Sequence, residues 1–311
     1  MANVSDIMSL LCLNPNQSQS PLGGQHRTIL IERDYFNAGD FVFLNILQHI
    51  ARREPNSRIV LVTLLHDWTN YSAAAAKCGF NLRRKQNMGN IDVINLMSLY
   101  YESLKTGNED EFNSAKYLKD HLQTYLSQAP AGCTDNANQG YGSKLQADQQ
   151  QPLIIMIDDL SSLLTTGSTC ADVVSLISSL DCLMRKQSKT LQHDRCNLLV
   201  VQTTVACVKP KISFSSIESQ LRQLVMHLKN SCDLFIALRP LETGHSTRVD
   251  GTVRIFDNRL PTRESKLAAS APSTSGLSLL GETPVSIGTN KAFFFKLSDR
   301  RVRLTTSALI F

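Results

Sequence analysis

Two adjacent carboxylates, Asp158 and Asp159, stand at the end of the apolar run Leu153-Ile-Ile-Met-Ile157 and are followed by Leu160-Ser161. Acids delivered by a buried strand to the edge of a parallel sheet are where a nucleotide-hydrolysing α/β protein holds magnesium and handles water. That chemistry also needs a loop whose backbone cradles phosphates, a lysine for the β and γ phosphates, and a hydroxyl on the metal. The loop after the strand-like run Thr28-Ile-Leu-Ile31 reads Asp34-Tyr-Phe-Asn-Ala-Gly39-Asp40-Phe41. Against the pattern G-x-x-x-x-G-K-[ST] only Gly39 fits. Asp34, Asp40 and Phe41 stand where glycine, lysine and a hydroxyl residue belong.

The exchange at position 40 matters most. Two unit charges about 4 Å apart interact by roughly 4 kcal/mol at an effective dielectric near 20. An aspartate in place of the lysine forfeits that attraction and adds a comparable repulsion. Asp34, Gly39, Asp40, Phe41, Asp158 and Asp159 therefore read as a degenerate nucleotide corner with no cofactor. The paired acids are expected to cap free backbone N–H groups, with magnesium chemistry as the alternative. His66-Asp67-Trp68 also follows a strand end, where α/β sheets border ligand crevices. It has no nucleophile or metal partner at a suggestive spacing, so a capping Asp67 and a packed Trp68 are expected, and no catalytic residue is assigned.

The elements that position these residues alternate. Arg58-Ile-Val-Leu-Val-Thr63, Ile91-Asp-Val-Ile-Asn95, Leu153 to Ile157, Asn197 to Thr203 and Asp233 to Leu238 read as strands. Between them, 40–53, a segment from Trp68 to Cys78, 96–105, 111–126, 169–186 and 216–229 carry apolar residues at helical spacing. Repeated βα order predicts a mainly parallel sheet covered on both faces. The last quarter changes period. Val249-Asp-Gly-Thr252 is expected to be an Asp-Gly turn, and Phe293 to Leu297 with Val302 to Thr305 a terminal hairpin. The expected fold class is thus α/β, a RecA-like three-layer fold with a mainly parallel central sheet and antiparallel C-terminal hairpins. One domain over 1–311 is expected. Disorder is expected in residues 1–25 and in two low-complexity insertions, 129–151, rich in Gln, Asn, Gly and Ala, and 260–290, rich in Ser, Thr, Pro and Gly.

The bulk composition limits the functional classes. A net charge of +5 is mild, compatible with a nucleic-acid partner but unlike a dedicated basic tail. No apolar stretch approaches the roughly 20 residues that span a bilayer, and the first residues lack a secretory pattern. Eight scattered cysteines without a C-x-x-C pair read as reduced thiols of a cytoplasmic or nuclear protein. Arg259, Arg263 and Lys266, at the entry of the late polar segment, are candidate phosphate contacts, weighed against ordinary solvated loop charge. Arg83-Arg84-Lys85 and Arg300, Arg301 and Arg303 face the same choice.

The chain resembles the family of Elongator complex protein 6. The resemblance rests on Ala38-Gly39-Asp40-Phe41, on Leu61-Val-Thr-Leu-Leu-His-Asp-Trp-Thr-Asn-Tyr-Ser72, and on Gly79-Phe-Asn-Leu82. It continues through Ile157-Asp-Asp-Leu-Ser161, Leu163-Leu164, Gly167, Val249-Asp-Gly-Thr-Val-Arg-Ile255 and the terminal hairpin. It implies a RecA-like subunit without working nucleotide motifs. It also implies a six-membered ring built with the fourth and fifth Elongator subunits, docked on the Elongator catalytic core, binding tRNA and supporting modification of the wobble uridine. Catalysis would belong to another subunit. The alternatives from other classes are a divergent recombinase-like ATPase using Asp158 or Asp159, and a DNA-repair recombinase paralogue.

Overall fold

The computed structural model describes residues 27–34, 40–53, 57–105, 113–127, 151–188, 197–205, 216–241, 246, 248–258, 290–298 and 301–305. Residues 1–25, all of 129–151 except Gln151, and all of 260–290 except Asn290 lie outside them, as do Gly39, Arg259, Arg263, Lys266 and Arg300.

The strands are β1 (Arg27–Asp34), β2 (Arg58–Thr63), β3 (Ile91–Asn95), β4 (Leu153–Ile157), β5 (Leu198–Val205), β6 (Leu234–Arg239), β7 (Gly251–Asp257), β8 (Asn290–Ser298) and β9 (Arg301–Thr305). They form one sheet in the order β3-β2-β4-β5-β1-β6-β7-β8-β9. The pairs from β3 to β6 are parallel, and those from β6 to β9 antiparallel. All eight residues of β1 and all five of β4 are buried, the near-continuous apolar pattern of strands covered on both faces.

Helices cover both faces. On one side α1 (Asp40–Arg53), α2 (Trp68–Lys77) and α3 (Leu82–Asn87) bury Val42, Phe43, Ile46, Leu47, Tyr71, Ala75 and Leu82 against Ile29, Ile31, Leu61 and Met156. On the other, α4 (Leu96–Lys105), α5 (Ser114–Ser127), α6 (Ser161–Thr165), α7 (Cys170–Ser188) and α8 (Ser216–Ser231) pack Leu118, Leu163, Leu176, Leu180 and Leu224 against Leu30, Val62, Ile155 and Val201. This is the expected three-layer arrangement. Because β1 leads into α1 on one face while β4 and β5 lead into helices on the other, a crevice opens beyond the carboxyl ends of these strands. It is there that the candidate residues collect.

Two expectations are corrected. Asp34 is the last residue of β1 rather than the start of the loop, because β1 stays paired with β5 as far as Asp34↔Val205. The Asp250-Gly251 pair is not a hairpin turn. Gly251 opens β7 opposite Phe295, while the Asp250 carboxylate accepts from the Leu297 N–H at 2.6 Å and from Lys296 Nζ at 2.9 Å. The helices α3 and α6 fall in segments to which the sequence pattern assigned no element. The terminal hairpin forms as expected, with Leu297 opposite Val302.

Candidate functional site

Arg33 organises the crevice. Strand alternation turns it to the α1 side with Ile29 and Ile31, and sends Asp34 to the opposite side with Leu30. Its side chain is 9% exposed and makes three directed contacts. Nη1 lies 2.8 Å from Asp40 Oδ1, Nη2 lies 3.4 Å from Asp159 Oδ2, and Nε donates to Thr204 Oγ1 at 2.8 Å.

Asp40 sits in the first turn of α1, where the helix dipole favours a negative charge. Besides Arg33 it meets His66 Nε2 at 3.0 Å and accepts from Gln202 Nε2 at 3.1 Å. Burial raises its pKa, but the His66 hydrogen bond, the Arg33 charge and Gln202 together hold the carboxyl below its ordinary value. The same hydrogen bond outweighs the desolvation of His66 and holds that imidazole above its ordinary value.

The paired acids are consumed differently. Asp158 is fully buried and accepts from the backbone N–H groups of Leu64 at 2.6 Å, Leu65 at 3.2 Å and His66 at 3.1 Å, and from Tyr71 Oη at 3.2 Å. It ties the turn after β2 to the end of β4. Burial pushes its carboxyl up to about 6, against the pull of those N–H groups, and burial with the Asp158 charge pushes the Tyr71 phenol upward. Asp159 accepts from Ser161 N at 3.0 Å, Ser161 Oγ at 2.7 Å, Thr204 N at 3.2 Å and Thr204 Oγ1 at 2.6 Å, besides Arg33. A carboxylate offers about four lone-pair directions, so both acids are already saturated by protein donors.

Of the six corner residues, then, Asp40, Asp158 and Asp159 are joined into one network. Phe41 turns into the core, its ring 5.1 Å from that of Phe295. Asp34 is buried on the other side of the sheet, with Oδ1 lacking a hydrogen-bond partner. Asp67 caps α2 through Trp68 N at 2.8 Å, and Trp68 packs on the core beside it. Arg33, Gln202 and Thr204 were not marked as site residues from the sequence, and His66 was weighed there without being assigned a role. The one legible signal at Arg33 was the charged run Glu32-Arg33-Asp34 that follows the apolar Ile29-Leu30-Ile31.

Chemically, the corner sets three carboxylates against one guanidinium and a histidine. Among the described residues no group of three or more His, Cys, Asp or Glu side chains could hold a metal ion, and no helix is long and apolar enough to cross a membrane. The four described cysteines, Cys78, Cys170, Cys182 and Cys232, are free thiols.

One strand, β5, lies between β1 and the acid-bearing β4, and antiparallel strands extend the sheet beyond β6. That order, with helices on both faces and the crevice at β1, defines a RecA-like α/β protein. The model of the Elongation complex protein 6 family matches residues 10–271. The chain belongs to that family, whose members are non-catalytic subunits of the Elongator complex. A comparison with curated protein sequences gives no match. Similar solved structures include the flagellar accessory protein FlaH from Methanocaldococcus jannaschii, at 10% identity and a TM-score of 0.48, covering 92% of this chain and 91% of that one. A KaiC-like protein from Pyrococcus horikoshii OT3 aligns at 13% identity and a TM-score of 0.45, over 91% of this chain and 90% of that one. An uncharacterized Pyrococcus horikoshii protein aligns at 9% identity and a TM-score of 0.48, over 90% and 91% respectively.

Proposed function

We propose that this Elongator subunit is a single-domain RecA-like scaffold with a nucleotide corner that has become structural. It assembles with the fourth and fifth Elongator subunits into a heterohexameric ring. That ring docks on the catalytic core, binds tRNA and supports wobble-uridine modification in the cytoplasm or nucleus. The observation that carries the reading is the Arg33–Asp40 pair at 2.8 Å, closed by His66 and Gln202. A carboxylate of the chain itself occupies the first turn of the helix that would otherwise present its N–H groups to phosphate. The positive charge nearest to it is neutralised internally. Arg259, Arg263 and Lys266 are loop contacts to RNA in this reading, acting on phosphates by charge.

Native mass spectrometry of the chain coexpressed with the fourth and fifth subunits tests the assembly. Two copies of each in one stoichiometric particle is the expected result, and a chain that stays alone would remove the ring. Calorimetry of the same particle and of the free chain addresses the corner. Heat from millimolar ATP on the free chain, weakened by Asp159→Ala, would return the divergent ATPase to first place.

A further inference from the structure

The charged surface of this chain is unevenly compensated. On the helices of one face, cations are interleaved with acids: Arg185 pairs with Asp181 at 2.6 Å on α7, and Arg222 with Glu218 at 3.5 Å on α8. On the other face the segment from Trp68 to Ile91 contains no Asp or Glu, yet carries Lys77, Arg83, Arg84 and Lys85. Asp40 is the single acid of α1, at the end of that helix away from Arg52, and Glu54 follows the helix in the sequence.

The fold gathers these cations. Gly79, at φ +73°, ends α2 and turns the chain so that Phe80 comes beneath Arg52, whose guanidinium carbon lies 5.1 Å from the ring centroid. Lys77 closes α2 three residues before Phe80, and Arg83 and Arg84 follow it on α3, which is begun by the Asn81 side chain accepting from Arg84 N at 2.9 Å. Arg52, Lys77, Arg83 and Arg84 are exposed, and none is paired with a carboxylate among the described residues. Between them α2 presents Thr69, Ala73 and Ala76 to solvent, on the same helical face as Lys77. Ala73 and Ala76 leave low ground beside Lys77, so a bulky backbone could reach the cationic stems there, while Thr69 hydrogen-bonds the exposed Asp67 carboxylate at the far end of α2.

We propose that the cation-rich surface formed by the C-terminal ends of α1 and α2 together with α3 is a phosphate-backbone-binding face for RNA, carried by Arg52, Lys77, Arg83 and Arg84, with the half-buried Lys85 beside them. It deepens the tRNA part of the proposed function and rests on it. Cations without a carboxylate partner neutralise successive phosphates and release counterions, which gives affinity without base recognition. A folded protein partner would instead anchor on Met88, 62% exposed at the end of α3, and would leave the salt slope of RNA binding unchanged in the triple variant.

The test is fluorescence anisotropy of tRNA with the coexpressed ring between 50 and 200 mM salt, using a ring that carries Arg83→Gln, Arg84→Gln and Lys85→Gln together. Removing one cation from the phosphate backbone lowers the log–log salt slope by about 0.7–0.9. The triple variant should therefore flatten it by roughly 2 and weaken binding on the order of tenfold at low salt. A ring carrying Lys116→Gln and Lys119→Gln, on the α5 side, should bind as the parent does. Native mass spectrometry of each variant verifies that the ring is intact. An unchanged slope in the triple variant overturns the face and leaves tRNA binding by the ring standing. Equal weakening in both variants overturns it as a local site, and a parent ring that does not bind tRNA removes both readings.

Discussion

Arg33 and Asp40 meet guanidinium to carboxylate at 2.8 Å across the interval between the end of β1 and the first turn of α1. The two halves of the pair are unequally buried, 9% exposed for Arg33 and 36% for Asp40, so losing either has a different cost. Removing a partner from a buried charge is expensive because the survivor stays desolvated. Asp40→Ala leaves Arg33 with Thr204 and Asp159, and the solvent near Asp40 screens part of the loss. We expect about 1–2 kcal/mol. Arg33→Met strands Asp159 and Asp40 together, and should cost about 3 kcal/mol or more. Urea unfolding reads both as midpoint shifts with an unchanged slope. A midpoint for Arg33→Met no lower than that for Asp40→Ala would refute this ranking.

His66 makes the corner sensitive to pH. Its native pKa is raised above 6.5, chiefly by the hydrogen bond to Asp40. The native state therefore holds the proton more tightly than the unfolded chain, and the stability this adds is complete below the unfolded value. It is lost as pH rises through the native value. Asp40, whose native pKa is lowered, adds stability above its unfolded value that disappears as pH falls through the native one. Stability plotted against pH should thus lose a contribution on the alkaline side that His66→Gln abolishes. An NMR titration of the His66 ring that gives a pKa at or below 6.5 would contradict the assignment.

Much of this frame was readable in the residues. The run Leu153 to Ile157 ending in two acids marked both a central strand and the crevice, since five consecutive apolar residues are buried on both faces of the sheet. The partners of those acids were not readable. Arg33 lies 126 residues from Asp159 and Gln202 lies 162 from Asp40. Only the parallel register that sets Arg33 beside Thr204 brings such distant side chains together. The six-residue α3 was missed because it is too short for its periodicity to show, although Asn81 at its cap is a conventional start signal. Position 250 misled in the opposite sense. An Asp-Gly pair is the common hairpin signal, but here the aspartate serves the next strand's backbone.

Asp158 should behave as a structural acid. Asparagine at this position keeps one acceptor oxygen but turns an NH2 group toward N–H donors and the Tyr71 hydroxyl, leaving at least one buried donor unsatisfied. The expected cost is about 1–3 kcal/mol at pH 7. The native carboxyl titrates at about 6 against an ordinary 3.8, so its proton is favoured by folding. Its contribution is present below the ordinary value and lost as pH rises through about 6. Asp158→Asn should flatten stability across that window, and a window unchanged in the variant would exclude Asp158 as its origin.

Gly251 tests the junction between the parallel and antiparallel halves of the sheet. A Cβ there would lie 2.6 Å from the Arg239 carbonyl oxygen and 2.7 Å from the nearest ring atom of Phe295. Neither neighbour moves cheaply, since Arg239 O belongs to strand backbone and Phe295 is fully buried. Gly251→Ala should therefore force β7 away from β6 or β8 and cost about 1–3 kcal/mol by overpacking. The displacement would also disturb Arg239, whose guanidinium, with Lys229, pairs with the buried Glu32 on the opposite side of β1. Adding Phe295→Leu to Gly251→Ala removes ring atoms but leaves the carbonyl in place. The double variant should recover less than the single one loses, after correction for Phe295→Leu alone. Denaturant midpoints of the four chains close this cycle. Full additivity would mean that the phenyl ring is not what excludes a side chain at position 251.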